Sequence, residues 1–180
     1  MKKTKKIYLA GPEVFLPNAF SILESNKRLL EEKGFLAYSP FDGNVFPEEK
    51  RDLRLAKRIF EENCRLILES DLVLANCNFF RGACVDDGTS FEIGYAFRSG
   101  KRIYGYGDSE LALHLETERK IPTKAHESGY RIDEEGYLLN EDFGNRINLM
   151  LEFSILESGG RLVRGSFSDL VDRLAEWESV

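Results

Sequence analysis

The run Leu72-Val73-Leu74-Ala75-Asn76 is the clearest secondary-structure signal in the chain. Its apolar residues are consecutive rather than alternating, which is typical of a strand buried on both faces of a parallel sheet. Helical patterns lie on both sides of it, over residues 48–70 and 89–98. A buried strand between two helices is the repeating unit of an α/β protein.

The same alternation continues in both directions along the chain. Further strands are predicted over 7–10, 35–38 and 102–106, and a helix over 18–33, with Asn18 as its cap. The order β-α-β-α-β-α-β predicts a doubly wound, flavodoxin- or Rossmann-like parallel sheet of four to five strands flanked by helices. Because 180 residues suit one core, residues 1–180 are interpreted as a single domain.

The pattern weakens after Asp108. A helix is expected over 109–120, a long polar loop over 121–142, and a helix over 145–157 that ends before two glycines. Ser168 is expected to cap a last amphipathic helix. Long loops in compact domains are often functional, so the 121–142 segment is a candidate determinant of base preference.

Composition excludes several kinds of partner. The chain has 25 basic and 31 acidic residues, a net charge of −6, so it lacks the basic surface that would favour nucleic acid. Its apolar runs are far shorter than the ~20 residues of a membrane span. The basic residues 2–6 lead into Pro12 and Glu13 rather than a cleavage site, so we interpret them as a solvated tail and expect a cytoplasmic protein.

No cofactor or metal is predicted. Cys64, Cys77 and Cys84 show no CxxC spacing and are expected to be reduced thiols. His114 and His126 lie twelve residues apart, without the spacing of a zinc site. The chain also lacks the glycine-rich phosphate-binding motifs of nucleotide cofactor sites.

The segment Asp86-Asp87-Gly88-Thr89-Ser90-Phe91-Glu92 follows the third predicted strand and leads into a helix. One interpretation is structural: Thr89 and Glu92 form a capping box. The other is chemical: Glu92 lies in the first helical turn, where the helix dipole favours an ionised carboxylate that acts as a nucleophile or base. Asp86 and Asp87 then supply acceptors for sugar hydroxyls, or are turn residues only. The pattern alone leaves both interpretations open.

Three ordered blocks carry a resemblance to a known family. They are Lys6-Ile7-Tyr8-Leu9-Ala10-Gly11-Pro12 with Phe15 following, Asp86-x-Gly88-Thr89-x-x-Glu92-x-Gly94-x-Ala96-x-x-x-Gly100-Lys101, and Asn148-Leu149-Met150. Together they span most of the chain, and they resemble the nucleoside 2-deoxyribosyltransferase family.

The resemblance implies transfer of a deoxyribosyl group from a 2′-deoxynucleoside to a free nucleobase. Glu92 matches the family's nucleophile, which forms a covalent deoxyribosyl-enzyme, and Tyr8 matches the tyrosine that holds its carboxylate. Asp86 matches the aspartate that binds the sugar hydroxyls. Asn148 matches a residue that reaches the 5′-hydroxyl from a neighbouring subunit, with Met150 close by, so a homo-oligomer with a shared active site is expected.

The sequence departs from the family pattern at Asn63, where some members carry an aspartate that handles the proton on the base. An amide cannot act as a general acid, so the proton has to come from another acid such as Asp42, or from solvent. Phe15 and Phe41 flank the expected site loops and are predicted to stack on a base. Gly11 begins the loop after the first strand and is predicted to line the site.

Two other functions remain open. The first is a nucleoside or deoxynucleoside 5′-monophosphate N-glycosidase on the same scaffold, with water as the acceptor. The loop over residues 11–15 is apolar and acidic, which argues against a phosphorylated substrate. The second is a non-catalytic nucleotide sensor, in which Glu92 only caps its helix.

Overall fold

The computed structural model describes residues 4–44 and 50–178. The strands are β1 (Lys6–Ala10), β2 (Leu36–Tyr38), β3 (Leu72–Asn76), β4 (Arg102–Gly107), β5 (Thr123–Ala125), β6 (Arg131–Asp133) and β7 (Arg161–Arg164). The helices are α1 (Ala19–Glu32), α2 (Leu53–Glu69), α3 (Asp87–Arg98), α4 (Leu113–Lys120), α5 (Leu149–Glu157) and α6 (Phe167–Trp177).

Five strands form one parallel sheet in the order β2-β1-β3-β4-β7. This confirms the predicted α/β architecture with a doubly wound parallel sheet. Successive side chains of a strand point to opposite faces, so the core has two layers. Ile7 and Leu9 of β1 pack with α1 and α6, whereas Tyr8 and Ala10 pack with α2, α3 and α5.

The two layers define where a ligand can bind. β1 and β3 are neighbours, yet the chain leaves β1 for α1 on one face and leaves β3 for α3 on the other. Such a reversal opens a crevice beyond the carboxyl ends of the two strands, the usual ligand position in doubly wound sheets. The loop after β1 borders this crevice and contains a 3-10 turn, Pro12–Phe15.

Two strand regions differ from the prediction. The segment 121–142, predicted as a loop, contains the antiparallel pair β5–β6. These strands have three residues each and are mostly polar, so they lack the alternation that identifies strands in sequence. The edge strand β7 was also not predicted, because its four residues begin and end with arginine.

Several helices begin at a different residue from the predicted one. The cap of α6 is Ser166 rather than Ser168, and Asp169 completes its capping box. α5 begins at Leu149 rather than at 145, because the buried Asn145 amide bonds to the Ile147 carbonyl in the preceding loop.

The starts of the first two helices agree with the prediction only in part. Asn18 precedes α1 as predicted but makes no capping hydrogen bond with its side chain. Asp52 caps α2, and the predicted start of that helix at residue 48 lies outside the described residues.

A buried carboxylate fastens the C-terminal segment to the amino ends of the strands. Glu178 accepts from Lys5 Nζ at 2.7 Å, from Arg102 Nη1 at 2.7 Å and from Tyr104 Oη at 2.5 Å. These partners link α6 to β1 and β4 at the edge opposite the crevice. Among the helices described, none is long and apolar enough to cross a bilayer.

Candidate active site

Tyr8 and Glu92 meet inside the layer between the sheet and α3. The Tyr8 hydroxyl donates a hydrogen bond of 2.6 Å to Glu92 Oε1. Tyr8 is fully buried, and the Glu92 residue is 9% exposed. β1 supplies a rigid position for the phenol, and α3 carries the carboxylate toward it. The structure therefore brings together Glu92, the predicted nucleophile, and Tyr8, the residue predicted to hold its carboxylate.

Burial is the main influence on the Glu92 carboxyl group and raises its pKa to about 7. The hydrogen bond from Tyr8 lowers the pKa, and the charge of Asp86 raises it. Burial and the adjacent Glu92 raise the pKa of Tyr8 well above its usual value, so the phenol keeps its proton and remains a donor. Within residues 4–44 and 50–178 no basic side chain forms an ion pair with Glu92.

Glu92 does not cap α3, so the capping-box interpretation is wrong. α3 begins at Asp87, and Glu92 is its sixth residue, beyond the first turn. Asp86 is the cap: its Oδ2 accepts from the Thr89 amide at 2.8 Å and from Thr89 Oγ1 at 2.9 Å. The expectation that the helix dipole keeps Glu92 ionised is corrected as well, because desolvation dominates.

One of the two carboxylate oxygens of Asp86 has no hydrogen-bond partner among the described residues. Its Oδ2 holds Thr89, whereas Oδ1 accepts no hydrogen bond from the described residues. The residue is 5% exposed and its charge acts on Glu92. An oxygen of this kind is a suitable acceptor for a sugar hydroxyl.

α2 packs against α3 and carries Asn63 and Cys64. Burial raises the pKa of the Cys64 thiol, and the charge of Glu92 raises it further, which places this thiol near the carboxylate. Asn63 Oδ1 is buried without a hydrogen-bond partner among the described residues. A buried polar atom without a partner is costly, so this amide is a candidate contact for a ligand.

Asp42 is not available to protonate a base. Burial raises its pKa, but hydrogen bonds from Lys27 and Ser39 outweigh that effect, and the net pKa is lowered. Oδ1 accepts from Lys27 Nζ at 2.8 Å, and Oδ2 accepts from the Ser39 amide and hydroxyl. Oδ2 therefore maintains the turn after β2, and Oδ1 connects that turn to α1.

The predicted stacking residues contact other rings of the protein. Phe15 stacks on Phe80 at 5.1 Å, and the Arg81 guanidinium lies 4.7 Å from the Phe80 ring centroid. Phe41 stacks on Phe20 at 6.4 Å. Phe15 and Phe41 are 55% and 47% exposed, so part of each ring remains open to a ligand.

Asn148 and Met150 make no hydrogen bond to Glu92 within one chain. Asn148 caps α5: its Oδ1 accepts from the Met150 amide at 3.0 Å, and its Nδ2 donates to Glu141 at 3.1 Å. Both residues are exposed, and Met150 is 69% exposed. The structure thus brings neither of them into hydrogen-bond contact with the carboxylate.

A second fixed carboxylate at this edge was not among the predicted site residues. Glu13 Oε1 accepts from Asn76 Nδ2 and from Tyr106 Oη, each at 2.7 Å. A Cβ on Gly11 would overlap Glu13 Oε2, so a larger residue there would force this carboxylate to move. The one signal in the sequence is an acidic residue directly after the Gly-Pro turn of the first strand.

A cavity of about 360 Å³ lies beyond the carboxyl ends of β3 and β4, beside β7. Lys120 and Arg146 line it, but Tyr8, Asp86 and Glu92 do not. It is therefore a neighbouring space and not the site built around Glu92. In the described part of the chain, no cluster of three or more His, Cys, Asp or Glu residues is arranged to hold a metal ion.

Comparison with known proteins finds relatives of similar structure and sequence. A 2-deoxyribosyltransferase from Leishmania mexicana is 25% identical, with a TM-score of 0.69, over 96% of this chain and 97% of its own. A CMP N-glycosidase from Clostridium botulinum is 16% identical, with a TM-score of 0.51, over 94% and 98% of the chains, and shares the fold.

An uncharacterised protein of Schizosaccharomyces pombe is 29% identical over 171 residues, which are 88% of this chain and 80% of its own. The sequence profile of the nucleoside 2-deoxyribosyltransferase family matches residues 7–150. That range contains all of the candidate site residues, and the chain belongs to the nucleoside 2-deoxyribosyltransferase family.

Proposed function

We propose that this protein transfers the 2-deoxyribosyl group of a nucleoside between purine or pyrimidine bases, through a covalent deoxyribosyl-enzyme on Glu92. The observation that carries the proposal is the 2.6 Å hydrogen bond from Tyr8 to a buried carboxylate without a cationic partner among the described residues. Burying such a carboxylate costs stability, and perturbed groups of this kind cluster at catalytic sites.

The chemistry follows from the two oxygens of Glu92. Tyr8 occupies Oε1, and Oε2 accepts no hydrogen bond from the described residues, so Oε2 is the oxygen free to attack C1′. As the Oε2–C1′ bond forms, the C1′–N bond breaks and its electron pair stays on the departing base, which takes up a proton. A second base then attacks C1′ through a ring nitrogen, loses the proton of that nitrogen to solvent and displaces the carboxylate. The two inversions give net retention, as in retaining glycosidases.

Protonation of the departing base does not involve an ionised side chain such as Asp42. Asn63 offers a carbonyl oxygen without a partner, which can accept a hydrogen bond from an N–H of the base but cannot supply a proton to it. We propose that Asn63 positions the base and that the proton comes from solvent.

We also propose that the active site is shared between subunits of a homo-oligomer. Asn148 and Met150 make no hydrogen bond to Glu92 within one chain, although they match family positions near the substrate. Their helix packs on α3 and presents exposed apolar side chains, including Met150 and Phe153. Apolar side chains exposed together on one helix are typical of a contact surface.

Base exchange tests the proposal directly. Thymidine and adenine, incubated with the protein in phosphate-free buffer, are expected to give deoxyadenosine and thymine in equal amounts. Glu92→Gln is expected to lose this activity, because a neutral amide does not displace the base. Absence of deoxyadenosine with the wild-type protein, or exchange by the Gln variant at the wild-type rate, contradicts the proposal.

The same assay separates the transferase from an N-glycosidase, the activity named for the Clostridium botulinum relative. A hydrolase releases thymine without adenine and forms free deoxyribose instead of deoxyadenosine. If thymine release is independent of adenine and no deoxyadenosine forms, the N-glycosidase replaces the transferase as the function of this site.

A further inference from the structure

The carboxylate of Glu13 lies at the carboxyl ends of β3 and β4, the edge at which doubly wound sheets bind their ligands. In flavodoxin-like sheets, the crevice between β1 and β3 holds a phosphate-bearing cofactor. Here the Glu13 side chain folds back over Gly11, the first residue after β1. A Cβ on Gly11 would also lie 3.0 Å from the Cβ of Asn76, the last residue of β3. The Glu13 carboxylate therefore covers the ends of both strands.

Two hydrogen bonds fix the Glu13 carboxylate in this position. Tyr106 Oη and Asn76 Nδ2 each donate to Oε1 at 2.7 Å, and Tyr106 is the register partner of Asn76 in β4. Oε2 accepts no hydrogen bond from the described residues and lies against Gly11. Groups from β3 and β4 thus hold one negative charge in place above the loop that follows β1, unlike a surface glutamate that moves with solvent.

The loops around Glu13 contain few groups that could bind an anionic ligand. The segments 11–18, 77–86 and 108–112, which follow β1, β3 and β4, contain four acidic residues and one basic residue, Arg81. The Arg81 guanidinium lies 5.4 Å from the Phe15 ring centroid and 4.7 Å from that of Phe80. Phosphate sites use cations or clustered backbone N–H groups, whereas these three loops carry mainly carboxylates. The cations Lys120 and Arg146 line the neighbouring cavity beside β7.

We infer that Glu13 is a specificity-determining residue that restricts the site to nucleosides without a 5′-phosphate. The inference rests on the proposed function, because it takes the substrate to be a nucleoside bound against Glu92. A nucleoside is neutral and enters the acidic crevice without repulsion. A 5′-monophosphate brings about two negative charges toward a carboxylate that Asn76 and Tyr106 keep from moving aside.

The first test compares thymidine with thymidine 5′-monophosphate as donor to adenine. The measured quantity is kcat/KM for the monophosphate divided by kcat/KM for thymidine. Glu13→Gln preserves the shape of the side chain and removes its charge, and we expect it to raise this ratio about tenfold or more. An unchanged ratio with thymidine exchange intact overturns the role of Glu13 and leaves the proposed function standing.

The matched control is Asp108→Asn, which removes one negative charge at the end of β4 from an exposed side chain. We expect it to leave the ratio unchanged. An equal rise in both variants means that net charge alone sets the preference, and the inference about Glu13 fails. Tyr106→Phe is the second informative variant, because it keeps the charge and removes one of its two hydrogen bonds. We expect a smaller rise in the ratio than for Glu13→Gln.

A binding measurement keeps the test independent of turnover. Calorimetry with Glu92→Gln, which leaves the donor intact, gives the affinities for thymidine and for its monophosphate. Adding Glu13→Gln is expected to strengthen monophosphate binding about tenfold relative to thymidine binding. If the monophosphate already binds more tightly than thymidine while Glu13 is present, the inference is overturned, whether or not the protein catalyses exchange.

Discussion

The phenol of Tyr8 donates to Glu92 across 2.6 Å, and this neutral donor is the hydrogen-bond partner that the structure gives to that buried carboxylate. Glu178 is also buried, yet it bonds to Lys5, Arg102 and Tyr104. Burial raises the pKa of both groups, but at Glu178 the hydrogen bonds reverse the effect and the net pKa is lowered. Ionised Glu178 therefore stabilises the fold, whereas ionised Glu92 weakens it.

Glu92→Gln is expected to stabilise the protein at pH 8. The pKa of Glu92 is raised from 4.5 to about 7 in the folded state. Between these values the folded state binds more protons than the unfolded state, so stability falls as pH rises through this window. The amide removes that penalty, and we expect a gain of about 1–3 kcal/mol in the free energy of unfolding at pH 8.

Urea denaturation of both proteins at pH 4.5 and at pH 8 measures this difference. The gain should be large at pH 8 and small at pH 4.5, where the wild-type carboxyl group is protonated in the folded state. A variant that is less stable than the wild type at pH 8 would show that Glu92 is a structural residue.

Exchange activity is expected to increase with pH around neutrality. The nucleophile has to be ionised, and the pKa of Glu92 is raised to about 7 in the free protein by burial. We therefore expect kcat/KM for thymidine to rise about tenfold per pH unit well below pH 7 and to level off above it. A profile that is flat from pH 5 to 8 contradicts the raised pKa.

Tyr8→Phe is expected to move that profile to higher pH. The hydrogen bond from Tyr8 lowers the pKa of Glu92, so its loss raises the pKa and leaves less ionised carboxylate at pH 7. We expect a loss of about tenfold or more in kcat/KM at pH 7, recovered in part as the pH increases.

Tyr104→Phe is the matched control for Tyr8→Phe. It removes a buried phenol that bonds to Glu178 at the opposite edge of the sheet. This variant should lose stability without a change in the pH midpoint of activity. An equal shift of the midpoint in both variants would mean that the effect is general and not transmitted through the Tyr8–Glu92 bond.

The buried strands and their alternation with helices followed from sequence, because burial on both faces leaves continuous apolar runs such as residues 72–75. Strands near the surface gave no such pattern: β7 has an arginine at each end, and the β5–β6 hairpin is mostly polar. The sequence also did not identify the residue that caps α3, because Asp and Thr both favour the cap position and Asp86 and Thr89 lie close together. The choice between them depends on backbone geometry, which places Glu92 beyond the first turn.

The candidate site shows the same limit. Tyr8 and Glu92 were paired through the family resemblance, because 84 residues separate them and no periodic pattern joins them. The hydrogen-bonded cluster of Glu13, Asn76 and Tyr106 was not predicted, because these residues come from three separate segments of the chain. Only the sheet register brings Asn76 beside Tyr106, and only the turn after β1 returns Glu13 to them.

Asp86 is expected to contribute to both substrate affinity and helix stability, and two substitutions separate these effects. Asp86→Asn can still cap α3, so its stability should stay close to that of the wild type. We expect its KM for thymidine to rise roughly tenfold, because a charged acceptor for a sugar hydroxyl is lost. Its pH midpoint should fall, because the Asp86 charge raises the pKa of Glu92.

Asp86→Ala should show the same rise in KM together with a loss of about 1 kcal/mol in stability, since the cap is removed as well. Steady-state kinetics and urea denaturation of the two variants provide the measurements. If Asp86→Asn leaves KM and the pH midpoint unchanged, the residue is only a cap.

The last prediction concerns the shared active site and uses two variants that are each expected to be inactive. Glu92→Gln removes the nucleophile, and Asn148→Ala removes an exposed side chain that makes no hydrogen bond to Glu92 within its own chain. If Asn148 acts in the neighbouring subunit, a mixed oligomer contains some sites with an intact Glu92 from one chain and an intact Asn148 from the other. Mixing the two variants under conditions that allow subunit exchange should therefore restore activity, up to about a quarter of the sites for random pairing.

Because Asn148 caps α5, Asn148→Asp is the conservative companion that keeps the cap, and it should complement in the same way. Mixtures that stay as inactive as the separate variants, although sizing shows that subunits have exchanged, would place every catalytic group within one chain.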